Sequence, residues 1–177
     1  MILNHSQRIK KLGDVGEYLI KDIGVQNNRK VEMSEDSHDS VKDMLIDNIE
    51  TEVKTLTRIK NKEAFFLADQ QLKKCLSVDR LIFVEIPLYL DFPIDIFEST
   101  KPRKTVPHYF VKPWGDAHGL LFPLTNMSYI GSIDNKDIVA KMRELSPSGH
   151  LDNKPELKDK VRADRLELIS KLPRSFI

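Results

Sequence analysis

Apolar residues recur at spacings of three and four from about Ser6 to Ile23, through Ile9, Leu12, Gly16, Leu19, Ile20 and Ile23. That period predicts an amphipathic helix, with Gly24 as its stop. A polar stretch, Gln26 to Asp39, follows, with one short strand expected around Lys30 to Met33. Val41 to Ile46 and Ile49 to Leu56 are β-branched or apolar and flank Asp47-Asn48, which predicts a hairpin with a two-residue turn. Lys62 to Leu76 fits a helix through Phe65, Phe66, Ala68, Leu72 and Leu76, and Arg80 to Ile86 is an apolar run typical of a buried strand. Beyond Pro87 prolines are frequent, with strands expected near Val106 to Lys112 and Gly119 to Leu124. Helices are expected from Asn135 to Leu145 and from Pro155 to Leu172, joined by Ser146 to Gly149.

This order implies an α/β chain. Its 177 residues suit one domain, with a core in residues 1–100 and an extension, residues 101–177, packed on it within the same domain or as a small subdomain. A composition of 40% hydrophobic and 31% charged residues is that of a globular chain, not a disordered one. With 28 basic and 27 acidic residues there is no global positive field, so any surface for nucleic acid must be local. The lone Cys75 excludes an intramolecular disulfide and a cysteine-based zinc cluster, and fits a reducing compartment. No apolar stretch suits a signal peptide, and the run Leu81 to Leu90 is interrupted by Glu85 and Pro87; a cytoplasmic location without a membrane span is the expectation.

Counting outward from Asp47-Asn48, Ile46 faces Ile49, Leu45 faces Glu50, Met44 faces Thr51 and Asp43 faces Glu52. Side chains alternate along a strand, so Met44, Ile46, Ile49, Thr51 and Val53 share one face, and Asp43, Leu45, Glu50, Glu52 and Lys54 the other. Two opposed carboxylates repel, by some tenths to roughly 1 kcal/mol, so Glu52→Ala is expected to raise the stability of the metal-free chain. A hard divalent cation reverses that sign, and Mg²⁺ uses only one or two carboxylates plus water and substrate phosphate. With Lys54 two residues beyond Glu52, the acid, acid, lysine set suits phosphodiester hydrolysis. A Glu-x-Lys on a strand face is, taken alone, more often a solvated surface feature.

Asp43-Met-Leu-Ile, a short turn and Thr51-Glu52-Val53-Lys54-Thr55 resemble the signature of the PD-(D/E)xK nuclease superfamily, which includes restriction endonucleases and Holliday-junction resolvases. Gly13-Asp14-Val15-Gly16-Glu17 is similar to the Gly-Glu segment in the first core helix of many members. The resemblance spans roughly residues 10–86 and implies a restriction-endonuclease-like αβββαβ core, a central mixed sheet flanked by helices, with the C-terminal extension added to it. It implies a metal-dependent endonuclease using Mg²⁺ or Mn²⁺ on nucleic acid, DNA before RNA. Asp43, Glu52 and the Val53 carbonyl would be metal ligands, Glu17 an auxiliary ligand, Lys54 the residue orienting the attacking water, and Gln70 or Gln71 an auxiliary group. Lys42 stands where many members have proline, and Asp39 or Asp47 takes the aspartate's role if the hairpin register shifts. Alternatives are a non-catalytic nucleic-acid-binding or assembly protein on the same fold, and an RNA-cutting relative. A homodimer would suit cleavage of both strands, although no dimer surface is legible.

Other charged residues carry less. Lys101, Arg103, Lys104 and Lys112, interleaved with His108, Tyr109 and Trp114, form the candidate nucleic-acid surface. The five histidines lack metal-finger spacing. Glu50 reads as a solvated hairpin charge, Cys75 as packing, and Lys158, Lys160, Arg162 and Arg165, mixed with acids on one helix, as a solvated face.

Overall fold

The computed structural model describes residues 1–35, 42–59, 63–99 and 119–177. Helix α1 (His5–Gln26) is capped reciprocally: the Asn4 side chain accepts from the Gln7 N–H and the Gln7 side chain from the Asn4 N–H. Leu12, Gly16, Leu19 and Ile20 form its buried stripe. The helix passes through Gly24 instead of stopping there. That glycine serves a close approach, since a Cβ on it would lie 2.7 Å from Val31 Cγ2.

Strand β1 (Val31–Met33) leads to the hairpin of β2 (Met44–Ile46) and β3 (Ile49–Leu56), in the register counted from the turn: Met44 opposite Thr51, Leu45 opposite Glu50, Ile46 opposite Ile49. Asp47 and Asn48 have φ of 51° and 66°, the left-handed pair a type I′ turn requires. The Asp47 side chain also accepts from the Lys30 N–H and from Arg29, which pins the turn to β1.

The segment expected as one helix from Lys62 to Leu76 divides in two. Residues 60–62 lie outside the described residues; Ala64–Ala68 form β4 and Asp69–Ser77 form α2. The apolar run around Phe65 fits either period, and pairing decides it: β4 lies antiparallel to β7 (Gly119–Pro123), with Phe65 and Leu67 wholly buried. β5 (Arg80–Glu85) follows and runs parallel to β3. β6 (Ile94–Ser99) and β8 (Met127–Ile133), neither expected from the sequence, complete a six-stranded mixed sheet in the order β1-β2-β3-β5-β6-β8. Residues 119–177 therefore supply strands to both sheets. They also supply α3 (Lys136–Leu145), capped by the Asn135 side chain, and α4 (Lys158–Ser170). The strand expected near Val106 to Lys112 lies outside the described residues.

Alternate residues of the central strands feed two cores. On one face α1 and α3 cover Val53, Ile82, Val84 and Ile96 with Leu12, Leu19, Ile20, Val139 and Met142. On the other, Leu81, Phe83 and Phe97 meet Phe65, Leu72, Cys75 and Phe122, with the Phe65 and Phe83 rings stacked at 4.7 Å. Among the described residues no helix is long and apolar enough to cross a membrane.

The C-terminal helix corrects one expectation. Lys160 and Asp164 do pair on an exposed face, but Arg165 is buried, with its guanidinium over the Phe92 ring. Its Nη2 donates to Asp95 Oδ2 and lies 2.6 Å from Glu85 Oε1 as an ion pair, while Arg58 Nε lies 2.5 Å from Glu85 Oε2. Four buried charges thus tie α4 to the ends of the central strands, and tertiary pairing has turned inward a residue that local charge alternation placed in solvent.

Candidate functional site

β2 ends at Met44 while β3 runs on to Leu56, so Asp43 sits where the ladder stops. Its backbone N–H still donates to the Thr51 carbonyl, and its side chain takes over the next donor: Oδ2 accepts from the Val53 N–H at 2.8 Å. In a strand, the N–H and C=O of one residue point to the same side, so the Val53 carbonyl is directed to the Asp43 side as well. This arrangement holds one oxygen of the aspartate by a backbone donor alone.

Glu52 and Lys54 project from β3 to the α2 side of the sheet, next to Leu81 and Phe83 of β5 in register. Glu52 is wholly buried. Its Oε1 lies 2.7 Å from Lys54 Nζ, and its Oε2 lies 3.0 Å from Lys74 Nζ. Lys74, on α2, also donates to Asp43 Oδ1 at 2.6 Å. One ammonium thus bridges the two carboxylates, one just outside the hairpin ladder and one on β3.

Burial pushes the Glu52 carboxyl up; Lys54 pulls it back, Asp43 adds to the rise, and Lys74 opposes it. Burial is the largest effect on Lys54 and opposes its charge, but Glu52, Cys75 and Asp43 together outweigh it and hold the ammonium above its ordinary value. Lys74 is raised in the same way, against burial, by its bond to Asp43 and by the charges of Asp43 and Glu52. Cys75 is pushed up to about 12, first by burial, which makes it a packing thiol.

α1 approaches this end of β3 through Gly16, where a Cβ would fall 1.8 Å from Thr55 Oγ1. The next residue, Glu17, comes within the field of the site: burial, then Asp43 and Asp14, push it up to about 7, with Lys74 acting in the opposite direction. Four of the residues singled out from the sequence, Glu17, Asp43, Glu52 and Lys54, are thereby electrostatically coupled in one place, beside Val53.

Other candidates fall differently. The Gln71 side chain accepts from the Ala68 N–H and so starts α2, whereas Gln70 is exposed. Glu50 is half-buried opposite Leu45, and Asp47 belongs to the turn. Lys101, Arg103, Lys104 and Lys112, and Asp39, lie outside the described residues. Lys74 is the residue the sequence does not single out. Its one signal is position, one turn after Gln71 on an α2 whose Leu72 and Cys75 are buried, which puts Lys74 at the margin of the inward face.

The donor set is oxygen only, with two carboxylates converging on one cationic atom and a backbone carbonyl directed to the same side. That fits a hard divalent ion, which takes one or two carboxylates and completes its shell with water. Among the described residues no three His, Cys, Asp or Glu side chains form a metal-holding group. A metal here would therefore rest on two carboxylates, not on a closed protein cage. Compared with protein-family models, with curated proteins and with solved structures, the chain has no match.

Proposed function

We propose that this protein is a Mg²⁺- or Mn²⁺-dependent nuclease that hydrolyses phosphodiester bonds in DNA, with a core of the PD-(D/E)xK kind. The observation that carries the reading is the convergence of Asp43 Oδ1 and Glu52 Oε2 on a single cation, within 2.6 and 3.0 Å of Lys74 Nζ, with Lys54 on the other oxygen of Glu52. The element order supports it: α1, the β1-β2-β3 meander, α2, and β5 parallel to β3, interrupted only by β4.

In this reading Asp43, Glu52 and the Val53 carbonyl hold the metal, and Glu17 assists. A bound divalent ion supplies acidification of water and neutralisation of phosphoryl charge. The chain's own contribution is positional. Lys54, held at 2.7 Å by Glu52, presents an ammonium to the attacking water or to a non-bridging phosphate oxygen. The wholly buried Glu52 and the Asp43–Val53 bond keep both carboxylates in place before substrate arrives, which lowers the cost of ordering them.

One observation favours a second reading, a nucleic-acid-binding or assembly protein that does not cut: the Lys74 ammonium already occupies the place between the two carboxylates. Incubation of the purified protein with plasmid, linear and branched DNA and with RNA, in Mn²⁺ or in EDTA, separates these. Mn²⁺-dependent cleavage, abolished by EDTA and by Glu52→Gln or Lys54→Ala but kept by Glu50→Ala, is expected. DNA binding without cleavage of any substrate would favour the second reading, and cleavage confined to RNA would move the substrate.

A further inference from the structure

We propose that Lys74 is an internal counter-ion that the metal must displace, so that the divalent ion and the phosphate backbone bind cooperatively. The inference rests on the reading of Asp43 and Glu52 as a metal site and adds how access to that site is controlled.

Every carboxylate oxygen of the pair has a donor or a cation beside it: both Asp43 oxygens are hydrogen-bonded, whereas the two buried Glu52 oxygens lack hydrogen-bond geometry and are held by charge alone. Asp43 Oδ2 accepts from the Val53 N–H and Oδ1 from Lys74, while Glu52 Oε2 lies 3.0 Å from the Lys74 ammonium and Oε1 2.7 Å from that of Lys54. Two carboxylates and two ammoniums sum to zero charge, so the Asp43–Glu52 pair is already balanced by the chain's own cations. A dication entering between Asp43 and Glu52 meets Lys74 Nζ in the same space, and two cations sharing those oxygens would repel strongly where water is largely excluded. Lys74 must then leave.

The position of Lys74 makes that exit feasible. It sits in the second half of the nine-residue helix α2, and its side chain keeps 24% exposure, unlike that of Glu52 at 1%. It reaches the carboxylates from the rim, and rotation about its flexible stem returns the ammonium to the surface. Once displaced, it lacks an anion. A phosphodiester at the site supplies one, so phosphate lowers the cost of metal entry. By reciprocity the metal, having freed Lys74, strengthens binding of phosphate by the same factor. A protein built this way holds little divalent ion until nucleic acid is present.

Calorimetric titration of Mn²⁺ into the protein, alone and with a short phosphorothioate DNA duplex that resists cleavage, tests this in wild type, Lys74→Met and Lys74→Arg, after subtraction of Mn²⁺ binding to the duplex. In wild type the duplex is expected to tighten Mn²⁺ by about 5- to 150-fold, the usual range of coupling between two sites. Lys74→Met is expected to bind Mn²⁺ tightly without DNA and to gain little from it, while Lys74→Arg, which keeps the charge, retains the coupling. A wild-type Mn²⁺ affinity that the duplex leaves unchanged overturns the inference without any variant, and leaves the metal site standing. Equal Mn²⁺ affinities of DNA-free wild type and folded Lys74→Met do the same. No Mn²⁺ binding by any form, with or without duplex, removes the metal site and the inference together.

Discussion

Replacing Glu52 by alanine in the metal-free protein separates two opposing electrostatic effects. From the hairpin register alone, Asp43 and Glu52 are like charges face to face, and removing one should relieve some tenths to roughly 1 kcal/mol of repulsion. The structure reverses that expectation, because Lys74 lies between them and Lys54 beside them. Glu52→Ala would leave two ammoniums with only Asp43 for a partner. Breaking a fully buried ion pair costs about 3–5 kcal/mol, chiefly through the charge left unpaired. The side chains of Lys54 and Lys74 keep 20% and 24% of their exposure and can turn partly to water, so the loss should fall below that range, near ~2 kcal/mol. For a chain of this size that corresponds to a fall in Tm of about 4–8 °C. Thermal unfolding followed by circular dichroism near neutral pH in EDTA reads it. Adding Lys74→Met to Glu52→Ala should recover part of the loss, since one stranded ammonium is removed. A Tm for Glu52→Ala equal to or above wild type would refute the counter-ion account and restore the simple repulsion.

Three further outcomes follow from the same geometry. The Glu17 carboxyl is raised in the fold from 4.5 to about 7, first by burial, so the native state holds the extra proton; its contribution to stability is fully present below about pH 4.5 and is lost as pH rises through 7. In Glu17→Gln the Glu17 part of that decline should be lost from urea midpoints measured in EDTA across this window, leaving a shallower slope, and an unchanged wild-type slope would contradict the assignment. Arg165→Met strands the buried Glu85 and Asp95 beside Arg58 and Tyr129, and should cost about 3–5 kcal/mol in denaturant unfolding; a change within about 0.5 kcal/mol would place that pair in water. Gly16→Ala forces a Cβ against Thr55 Oγ1 and should cost about 1–3 kcal/mol, with Thr55→Ala in the same chain restoring much of it; absence of that rescue would mean α1 and β3 do not meet there.

Local chemistry alone specified much of the candidate site. The two positive-φ residues Asp47 and Asn48 set a two-residue turn, and a strand's period of two then determined which residues oppose one another as far as Met44 and Thr51, with Asp43 just beyond the paired residues and Glu52 and Lys54 further along β3. α1, β5 and α3 were equally legible, because each buries one stripe or one short run whose period shows in the chain.

Non-local pairing decided the rest. Residues 64–68 became a strand because Gly119–Pro123 offers it a ladder, and Arg165 turned inward because Glu85 and Asp95, brought together by β5 and β6, needed a cation. Lys74 reaches the carboxylates only because α2 is laid across the face of β3 from which Glu52 projects. A chain's own periodicity fixes which side chains share a face, since that is a property of neighbours within a few residues. What stands opposite that face is contributed by residues tens of positions away, and here that missing partner was the cation between the acids.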